Sequence, residues 1–327
     1  MKPRFHAAKF LAVALIAAAA VTSPASAQPY PNKPIRLIVP YPPGGGNDTF
    51  ARLIGAKLSE RLGQPIVVEN RPGAGTMIGT EAAAKAPADG YTLLLGSIAT
   101  HAISPNLYGK VPYDPVKDFA PITVLGVAPT VAVVGPTVNA KTLAELIAQA
   151  KSQPGKLTYA SGGSGTPPHI SGEVFKSMTG TDLLHVPFKG GAPALVAVMG
   201  GQVDVMFDTA ASASPHIKGG KLRALALAAP QRSSDLPEVP TFSEAGLAGY
   251  EVNSWYALLA PAGTPPEIIA RLHRETTAAL REPDMIARLK TLGADPVGNT
   301  PEEFATFIRA ELAKYSKVIR EGKIKVE

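Results

Sequence analysis

The sequence has no cysteine among its 327 residues, and only 18% of its residues are charged. Without cysteine the protein has neither a disulfide nor a cysteine-linked lipid anchor, so its stability must come from its core. No cluster of Lys or Arg resembles a nucleic-acid-binding surface. The six histidines are far apart and none forms the i, i+4 pair of a helical metal site, so neither a metal nor another cofactor is expected.

Residues 1–27 have the three parts of a secretory signal peptide. A basic start precedes an apolar run at residues 10–21, and the small residues 25–27 provide a cleavage site. We therefore expect a periplasmic mature protein that begins near Gln28. An uncleaved anchor is the alternative, although a membrane-spanning helix needs about 20 residues. Loss of this segment lowers the formal net charge from +6 to +3, so the basic excess belongs largely to the export signal.

The hydrophobic pattern predicts an α/β fold. Short runs rich in Val, Ile and Leu alternate with amphipathic segments of helical length, which is typical of βα units around a largely parallel sheet. A mature chain of about 300 residues exceeds the usual size of one core, so we expect two lobes. Two apolar runs in succession, 122–127 and 130–134, indicate that the chain first crosses from one lobe to the other there. The predicted division is domain 1 at 28–126 and 254–327, and domain 2 at 127–253, with a ligand cleft at the hinge.

Each predicted lobe has a glycine-rich turn between a strand and a helix. These turns are residues 44–48 and residues 161–166. Backbone N–H groups at such a junction point outward at the positive end of the helix dipole, which suits a carboxylate or a phosphate. Asn47 is the expected N-cap of the first helix. Either turn alone is equally consistent with a tight connection, and neither has the pattern of a nucleotide-binding loop.

Single side chains near the predicted strand ends are further candidates, because α/β proteins usually bind ligands there. His169 is placed to donate a hydrogen bond to a ligand or to cap a helix at the surface. Lys189 is a candidate contact, with a solvated lysine as the ordinary alternative. Asp208 is placed to accept a hydrogen bond from a ligand hydroxyl or amine, or to cap the next helix. Trp255, the only tryptophan, is more often a core residue than a ligand platform.

Motifs along nearly the whole mature chain resemble the tripartite tricarboxylate transporter substrate-binding family, a group of periplasmic carboxylate receptors. The resemblance begins with Tyr-Pro-Asn-Lys-Pro-Ile-Arg-Leu-Ile-Val-Pro at residues 30–40 and Pro-Gly-Gly-Gly-Asn-Asp at 43–48. It continues, in the order found in the family, at residues 68–75, 88–93, 113–115, 118–119, 159–166, 185–190 and 200–204. The order and number of these motifs make the resemblance specific.

The resemblance implies a type II-like periplasmic binding protein that closes by a hinge on a small carboxylate, is a monomer and is not an enzyme. It implies delivery of the solute to a permease with a large and a small membrane subunit. In such receptors the two glycine-rich loops hold a carboxylate through backbone and hydroxyl groups, often with bridging waters. The implied ligand-binding residues are Tyr41, Gly44, Gly45, Gly46, Asn47, Asp48, Ser97, Thr100, His101, Ser161, Gly162, Gly163, Ser164, Gly165, Thr166, His169, Lys189, Gly190 and Asp208.

Some of these positions bear on selectivity. Asn47 stands where the family more usually has Thr or Ser, so it is expected to affect specificity. Tyr41 and residues 98–101 vary within the family and are expected to select the distal end of the solute. The solute itself is not identified by the sequence: dicarboxylates, tricarboxylates, aromatic acids and small amides all suit two donor-rich loops.

Two other functions are the alternatives. An exported α/β hydrolase requires a nucleophile with a base in reach. Ser164 follows Gly162 but has Thr166 where a nucleophile elbow has its second glycine, so hydrolase chemistry is not indicated. A ligand sensor that presents its closed form to a signalling protein is the other alternative, because one fold serves both roles.

Overall fold

The computed structural model describes residues 30–233, 235–322 and 324–325. The predicted signal peptide and its cleavage site therefore lie outside the described residues. Contacts divide the chain after Asn32, and residues from Lys33 onward form one compact unit. Within the described ranges, no helix combines the length and apolar character needed to cross a membrane.

The strands are short, with one exception in the centre of the fold. Their bounds are β1 (Ile35–Val39), β2 (Ile66–Asn70), β3 (Thr92–Ser97), β4 (Phe119–Val134), β5 (Thr158–Ser161), β6 (Leu184–Pro187), β7 (Val205–Thr209), β8 (Arg223–Leu227), β9 (Asn253–Pro261) and β10 (Asp295–Pro296).

Helices follow most of these strands. Their bounds are α1 (Gly46–Leu62), α2 (Met77–Ala84), α3 (Ser104–Leu107), α4 (Leu143–Ser152), α5 (Pro167–Thr179), α6 (Gly191–Met199), α7 (Ala210–Lys218), α8 (Pro266–Leu280), α9 (Pro283–Thr291) and α10 (Pro301–Glu321). A 3-10 turn at Ala74–Thr76 precedes α2, and a π-helical turn at Ala99–Ile103 precedes α3.

The strands of the described ranges form one mixed sheet, in the order β2-β1-β3-β9-β4-β7-β5-β6, with β8 and β10 also paired to β4. Strands at both ends pair in parallel, as in βα units. The central pairs β3–β9, β4–β9 and β4–β7 are antiparallel. The prediction of an α/β fold is confirmed, whereas the prediction of a largely parallel sheet is wrong at the centre.

Strand β4 is continuous and contains both of the successive apolar runs, 122–127 and 130–134. Its residues 119–129 pair with β9, and its residues 130–134 pair with β7 and β8. Pro129 lies at this change of partner and Pro121 at a register shift, which are positions where a residue without an N–H group is tolerated. β4 therefore runs through both halves of the sheet, and β9 returns the chain beside it. The predicted domain boundaries at 127 and 254 stay a prediction.

Large buried side chains connect the two halves. One core cluster extends from Leu94 and Trp255 to Phe175 and Phe207. A second cluster covers the opposite face of β7 and includes Met206. Because this packing covers both faces of the sheet, the remaining open positions are at the strand ends, where the two glycine-rich turns lie.

Candidate functional site

The first glycine-rich turn leads directly into α1. Gly45 is the N-cap, in an extended conformation, and α1 begins at Gly46, so Asn47 lies inside the helix and the predicted cap at Asn47 is wrong. The carboxylate of Asp48, in the first turn of α1, accepts the Gly44 N–H at 2.9 Å. Asp48 is the third residue of the helix, and it stabilises the turn by accepting the N–H one residue before the N-cap, where a capping box would use the N–H of the N-cap itself.

Asp48 has two further partners that fix its position. Its carboxylate accepts hydrogen bonds at 2.9 Å from Arg52 Nε and from Asn70 Nδ2. Burial opposes ionisation, but the hydrogen bonds from Arg52, Gly44 and Asn70 lower the pKa of Asp48 below its ordinary value. All of these bonds are internal, so Asp48 is suited to positioning the turn and not to contacting an anion.

The turn presents N–H groups at the positive end of α1. Gly44, Gly45 and Gly46 are exposed, and Gly44 has φ +83, a conformation that favours glycine. The first N–H groups of a helix have no intrahelical acceptor, so those of Gly46 and Asn47 point outward. This geometry suits a carboxylate.

Three hydroxyl-bearing side chains lie beside this turn. The Tyr41 hydroxyl and Ser97 Oγ are 2.6 Å apart, and Ser97 pairs across the sheet with Tyr256. A methyl group on Gly46 would lie 3.7 Å from the Tyr256 hydroxyl. The ring of Tyr256 stacks on that of Phe50, with 4.3 Å between the ring centroids. Burial raises the pKa of Tyr41 to about 12, so this hydroxyl stays protonated at neutral pH.

Tyr256 was not among the predicted site residues. The sequence analysis considered its neighbour Trp255 instead, as a core residue or a ligand platform. Trp255 is buried in the core, where its Nε1 donates to Glu311 at 3.1 Å. In a strand adjacent residues face opposite sides of the sheet, so a buried Trp255 puts Tyr256 on the other face. The antiparallel pairing of β9 with β3 then brings Tyr256 next to Ser97. No local sequence pattern predicts that pairing, so the sequence did not indicate Tyr256 as a site residue.

Thr100 and His101 are fully buried behind Ser97. Thr100 Oγ1 donates to the Ser97 carbonyl, accepts from the Ser97 N–H and lies 2.7 Å from His101 Nδ1. Burial lowers the pKa of His101 to about 3, so its ring is neutral at physiological pH. Thr100 Oγ1 and His101 Nδ1 have internal partners, whereas His101 Nε2 is buried without one. The role of both residues as ligand contacts stays a prediction.

The second glycine-rich turn uses most of its donors internally. The Gly163 N–H donates to Ser161 Oγ, the Gly165 N–H to His169 Nδ1 and the Thr166 N–H to the Gly163 carbonyl. α5 then starts with two prolines, Pro167 and Pro168, which have no N–H. The expectation of outward N–H groups therefore applies better to the first turn than to this one.

His169 accepts a hydrogen bond from its own turn through Nδ1. Its ring centroid lies 4.3 Å from that of His185, and His185 Nε2 lies 2.7 Å from Ser161 Oγ. Close serine–histidine contact in this region thus involves Ser161 and His185. His169 and His185 also line a cavity of about 320 Å³ with Glu173, and a cavity of about 480 Å³ lies at the far end of β8, beside Arg223.

The loop after β6 packs against the second turn. Phe188 N–H donates to the Ser161 carbonyl at 2.9 Å, and Gly190 N–H donates to the Gly162 carbonyl at 3.2 Å. A methyl group on Gly162 would lie 3.0 Å from the Gly191 nitrogen, which is closer than side chains normally approach backbone. Lys189 is exposed. The structure therefore brings the predicted residues 161–166 and 189–190 together.

Tyr108 connects the two sets of predicted residues, although the sequence did not single it out. A methyl group on Gly165 would lie 3.3 Å from the Tyr108 hydroxyl, and one on Gly75 would lie 2.5 Å from it. The ring thus fits between two glycines with positive φ, one from each predicted lobe. Larger residues at Gly75 or Gly165 would displace it.

Asp208 ends β7 and is 5% exposed. Its Oδ1 accepts the Thr209 N–H at 2.8 Å, whereas Oδ2 is buried without a hydrogen-bond partner. The side chain that caps α7 is that of Thr209, which accepts the Ser212 N–H, so the alternative of Asp208 as the cap is wrong. Burial raises the pKa of Asp208 to about 6. Among the described residues, no group of three acidic or histidine side chains could hold a metal ion.

Comparisons with known proteins place this geometry in context. Residues 50–324 match the model of the tripartite tricarboxylate transporter family receptor. The chain is 40% identical over 313 residues to protein BugT of Bordetella pertussis, a match that covers 95% of this chain and 96% of BugT.

Solved structures give the same picture. A periplasmic transporter is 43% identical with a TM-score of 0.86, over 91% of this chain and 100% of that protein. Rpa4515 of R. palustris, solved with adipate, is 36% identical with a TM-score of 0.85, again over 91% and 100%. MatC from Rhodopseudomonas palustris with bound malate is 36% identical with a TM-score of 0.82, over 89% and 100% of the two chains. The two-lobed periplasmic binding fold is therefore confirmed.

Proposed function

The chain belongs to the tripartite tricarboxylate transporter receptor family, and on that premise we propose that it is an extracytoplasmic receptor for a small carboxylate. The observation that carries the proposal is the exposed, donor-rich start of α1 beside the hydroxyls of Tyr41, Ser97 and Tyr256. Adipate and malate, bound by two relatives more than 30% identical, are small carboxylates of the kind this geometry suits. The proposed role is binding without catalysis.

The solute carboxylate binds at the start of α1 in this proposal. The N–H groups of Gly45, Gly46 and Asn47 replace its waters, and each hydrogen bond to the charged group contributes roughly 1.5 to 3 kcal/mol. Ser164 and Lys189 provide polar groups from the other side of the cleft. Thr100, His101 and Asp48 act behind this surface by holding Ser97 and the first turn in position.

Binding is coupled to closure of two lobes. The proposed lobes are residues 28–126 with 254–327, and residues 127–253, and the proposed hinge is the pair of crossings at β4 and β9. A ligand favours the closed form because only that form presents both glycine-rich turns at once. Contact of Tyr108 with Gly165 supports this arrangement, since it joins the second turn to the first lobe.

Delivery follows closure. We propose that the closed monomer is recognised by the large and small membrane subunits of a tripartite permease, in the periplasm, after cleavage of residues 1–27. The basic and apolar pattern of those residues supports export.

Gly46→Pro tests the carboxylate site by deleting one donor. Proline is favoured at the first position of a helix, and Gly45 already has the extended conformation (φ −85, ψ 172) that proline requires before it. Gly46→Ala is the matched control, because it keeps the N–H and its methyl group would meet only the Tyr256 hydroxyl. We expect Gly46→Pro to weaken carboxylate binding at least tenfold and Gly46→Ala to stay within a few-fold of wild type.

The measurement starts with a thermal-shift screen of the chain from Gln28, using mono-, di- and tricarboxylates, aromatic acids and their neutral amides. A ligand at 100 times its Kd adds about 2.7 kcal/mol of stability. We expect selective shifts with acids and none with the matching amides. Equal shifts from acids and amides, or equal affinity of Gly46→Pro and wild type, would contradict carboxylate capture at this turn.

A further inference from the structure

Asp208 and Tyr256 lie close together on one face of the sheet. Trp255 and Phe207 belong to the same core cluster, so their strand neighbours Tyr256 and Asp208 both turn to the opposite face of the sheet. Burial, together with the nearby Tyr41 and Asp208, raises the pKa of Tyr256. The carboxyl group of Asp208 therefore faces the same region as the hydroxyls beside the first glycine-rich turn.

One oxygen of this carboxyl group is left without a partner. Oδ1 accepts the Thr209 N–H, and the Ser212 hydroxyl lies near enough to lower the pKa in part, yet Oδ2 forms no hydrogen bond. Buried polar atoms are nearly always hydrogen-bonded, and an unmade bond to a charged acceptor is costly. The site thus has an acceptor that remains to be satisfied.

Asn47 Oδ1 is also buried without a partner, but it does not define the chemistry of the group that would pair with it. Its amide turned by 180° presents an NH₂ group in place of the oxygen, so the partner of Asn47 is either a donor or an acceptor. An ionised Asp208 only accepts. The chemistry of its missing partner is therefore defined: it must be a hydrogen-bond donor.

We propose that Asp208 accepts a hydrogen bond from a hydroxyl or ammonium group of the solute, so that the receptor selects hydroxy- or amino-carboxylates over unsubstituted acids. This inference rests on the proposed function. An unsubstituted carboxylate brings only negative charge and apolar groups to Oδ2, and it leaves the acceptor unpaired in a buried place. A donor on the carbon chain satisfies Oδ2 and reduces the repulsion between the two carboxylates.

The test compares matched solutes by calorimetry on wild-type protein freed of endogenous ligand. For straight chains of three to six carbons with one or two carboxylates, it uses the unsubstituted acid, the acid with a hydroxyl or an ammonium at carbon 2, and the acid with a hydroxyl at the far end. We expect the best-binding skeleton to bind at least tenfold more tightly when it carries one of these donors. This comparison needs no variant, so it is independent of any folding defect.

Asp208→Asn supplies the second readout. It removes the charge at nearly constant shape, and we expect it to bind the donor-bearing acid more weakly and the unsubstituted acid more tightly, so that the selectivity falls at least tenfold. Its melting temperature without ligand should equal or exceed that of wild type, because a buried unpaired charge has been removed. Asp182→Asn, an exposed site before β6, makes the same change of charge and should leave selectivity unaltered.

The outcomes separate the two proposals. Equal affinity for substituted and unsubstituted acids, or unchanged selectivity in Asp208→Asn, would overturn the inference while leaving carboxylate binding in place. Failure of every acid in the panel to bind would overturn the proposed carboxylate receptor itself, and the role of Asp208 with it. A large loss of stability in Asp208→Asn would indicate a structural role and also count against the inference.

Discussion

Asp48→Asn should destabilise the protein through the first glycine-rich turn. Asp48 is 4% exposed, and its carboxylate accepts hydrogen bonds from Gly44, Arg52 and Asn70. An asparagine has only one acceptor oxygen, so its NH₂ group must face either the Gly44 and Arg52 donors or the Asn70 donor. The substitution therefore breaks at least one charge-assisted bond and creates a contact between two donors.

The size of the effect follows from these contacts. A hydrogen bond to a charged group contributes roughly 1.5 to 3 kcal/mol, so the combined loss should be about 3 kcal/mol. For a protein of this size that corresponds to a fall of about 5 to 10 °C in melting temperature. Arg52→Gln is the matched control: the Arg52 side chain is 55% exposed, so water replaces its hydrogen bond and the melting temperature should fall much less than in Asp48→Asn.

The effect should depend on pH in a defined direction. The folded-state pKa of Asp48 lies below its unfolded value of about 3.9, so the unfolded chain takes up the proton first as the pH falls. The stabilisation is complete above the unfolded pKa and is lost as the pH falls through the folded pKa. The difference in melting temperature between wild type and Asp48→Asn should be constant from about pH 8 to 5 and should shrink below about pH 4.

Calorimetric melting of the three proteins over this pH range makes the measurement. Because the turn also presents the proposed binding donors, Asp48→Asn should weaken carboxylate binding as well, whereas Arg52→Gln should change it little. A melting temperature of Asp48→Asn within about 2 °C of wild type at pH 7 would refute the reasoning, since it would mean that the three bonds contribute almost nothing to the net stability.

Three further predictions concern the core. Gly172→Ala would place a methyl group 2.3 Å from the Tyr159 ring, so it should lower the free energy of unfolding in urea by about 1 to 3 kcal/mol, while Gly191→Ala, with no neighbour within 4 Å, should stay near wild type. Glu311→Ala removes the acceptor of the buried Trp255 N–H and should lower the free energy of unfolding by about 1 to 3 kcal/mol. Unfolding in urea is followed by tryptophan fluorescence, with Lys317→Ala at an exposed position as the control. Equal unfolding midpoints for the two variants would contradict the prediction. Burial lowers the pKa of His101 to about 3, so its ring resonances should not shift between about pH 8 and 5, and movement in that interval would show that the ring takes up a proton.

The sequence predicted the elements of this fold well because their signals are local. Period-two and continuous apolar runs appear as β1, β3 and β9, and Gly-rich or Pro-rich segments separate them from helices. The sequence did not predict how the strands in the centre of the sheet pair. β9 is far along the chain from β3 and β4, and nothing within an apolar run shows whether its partner will be parallel or antiparallel.

The site shows the same limit at the level of single side chains. Both glycine-rich turns were visible as sequence, but their donor content was not. In the second turn Ser161 and His169 satisfy the N–H groups, and this depends on a histidine four residues along a helix turning back onto the loop. The predicted cap at Asn47 was wrong for a similar reason. The start of α1 depends on Asp48, whose carboxylate accepts a hydrogen bond from Asn70 on a neighbouring strand, and this contact is not visible in the local sequence.

By itself the sequence determined the α/β class, the two glycine-rich turns and the family, because these depend on short-range patterns and on ordered motifs. Only the tertiary structure decided which polar groups face one another. It paired Ser97 with Tyr256, placed Tyr108 between Gly75 and Gly165, and left one oxygen of Asp208 buried without a partner. These relations join residues distant in the chain, and they arise because packing both faces of one sheet fixes which strand ends meet.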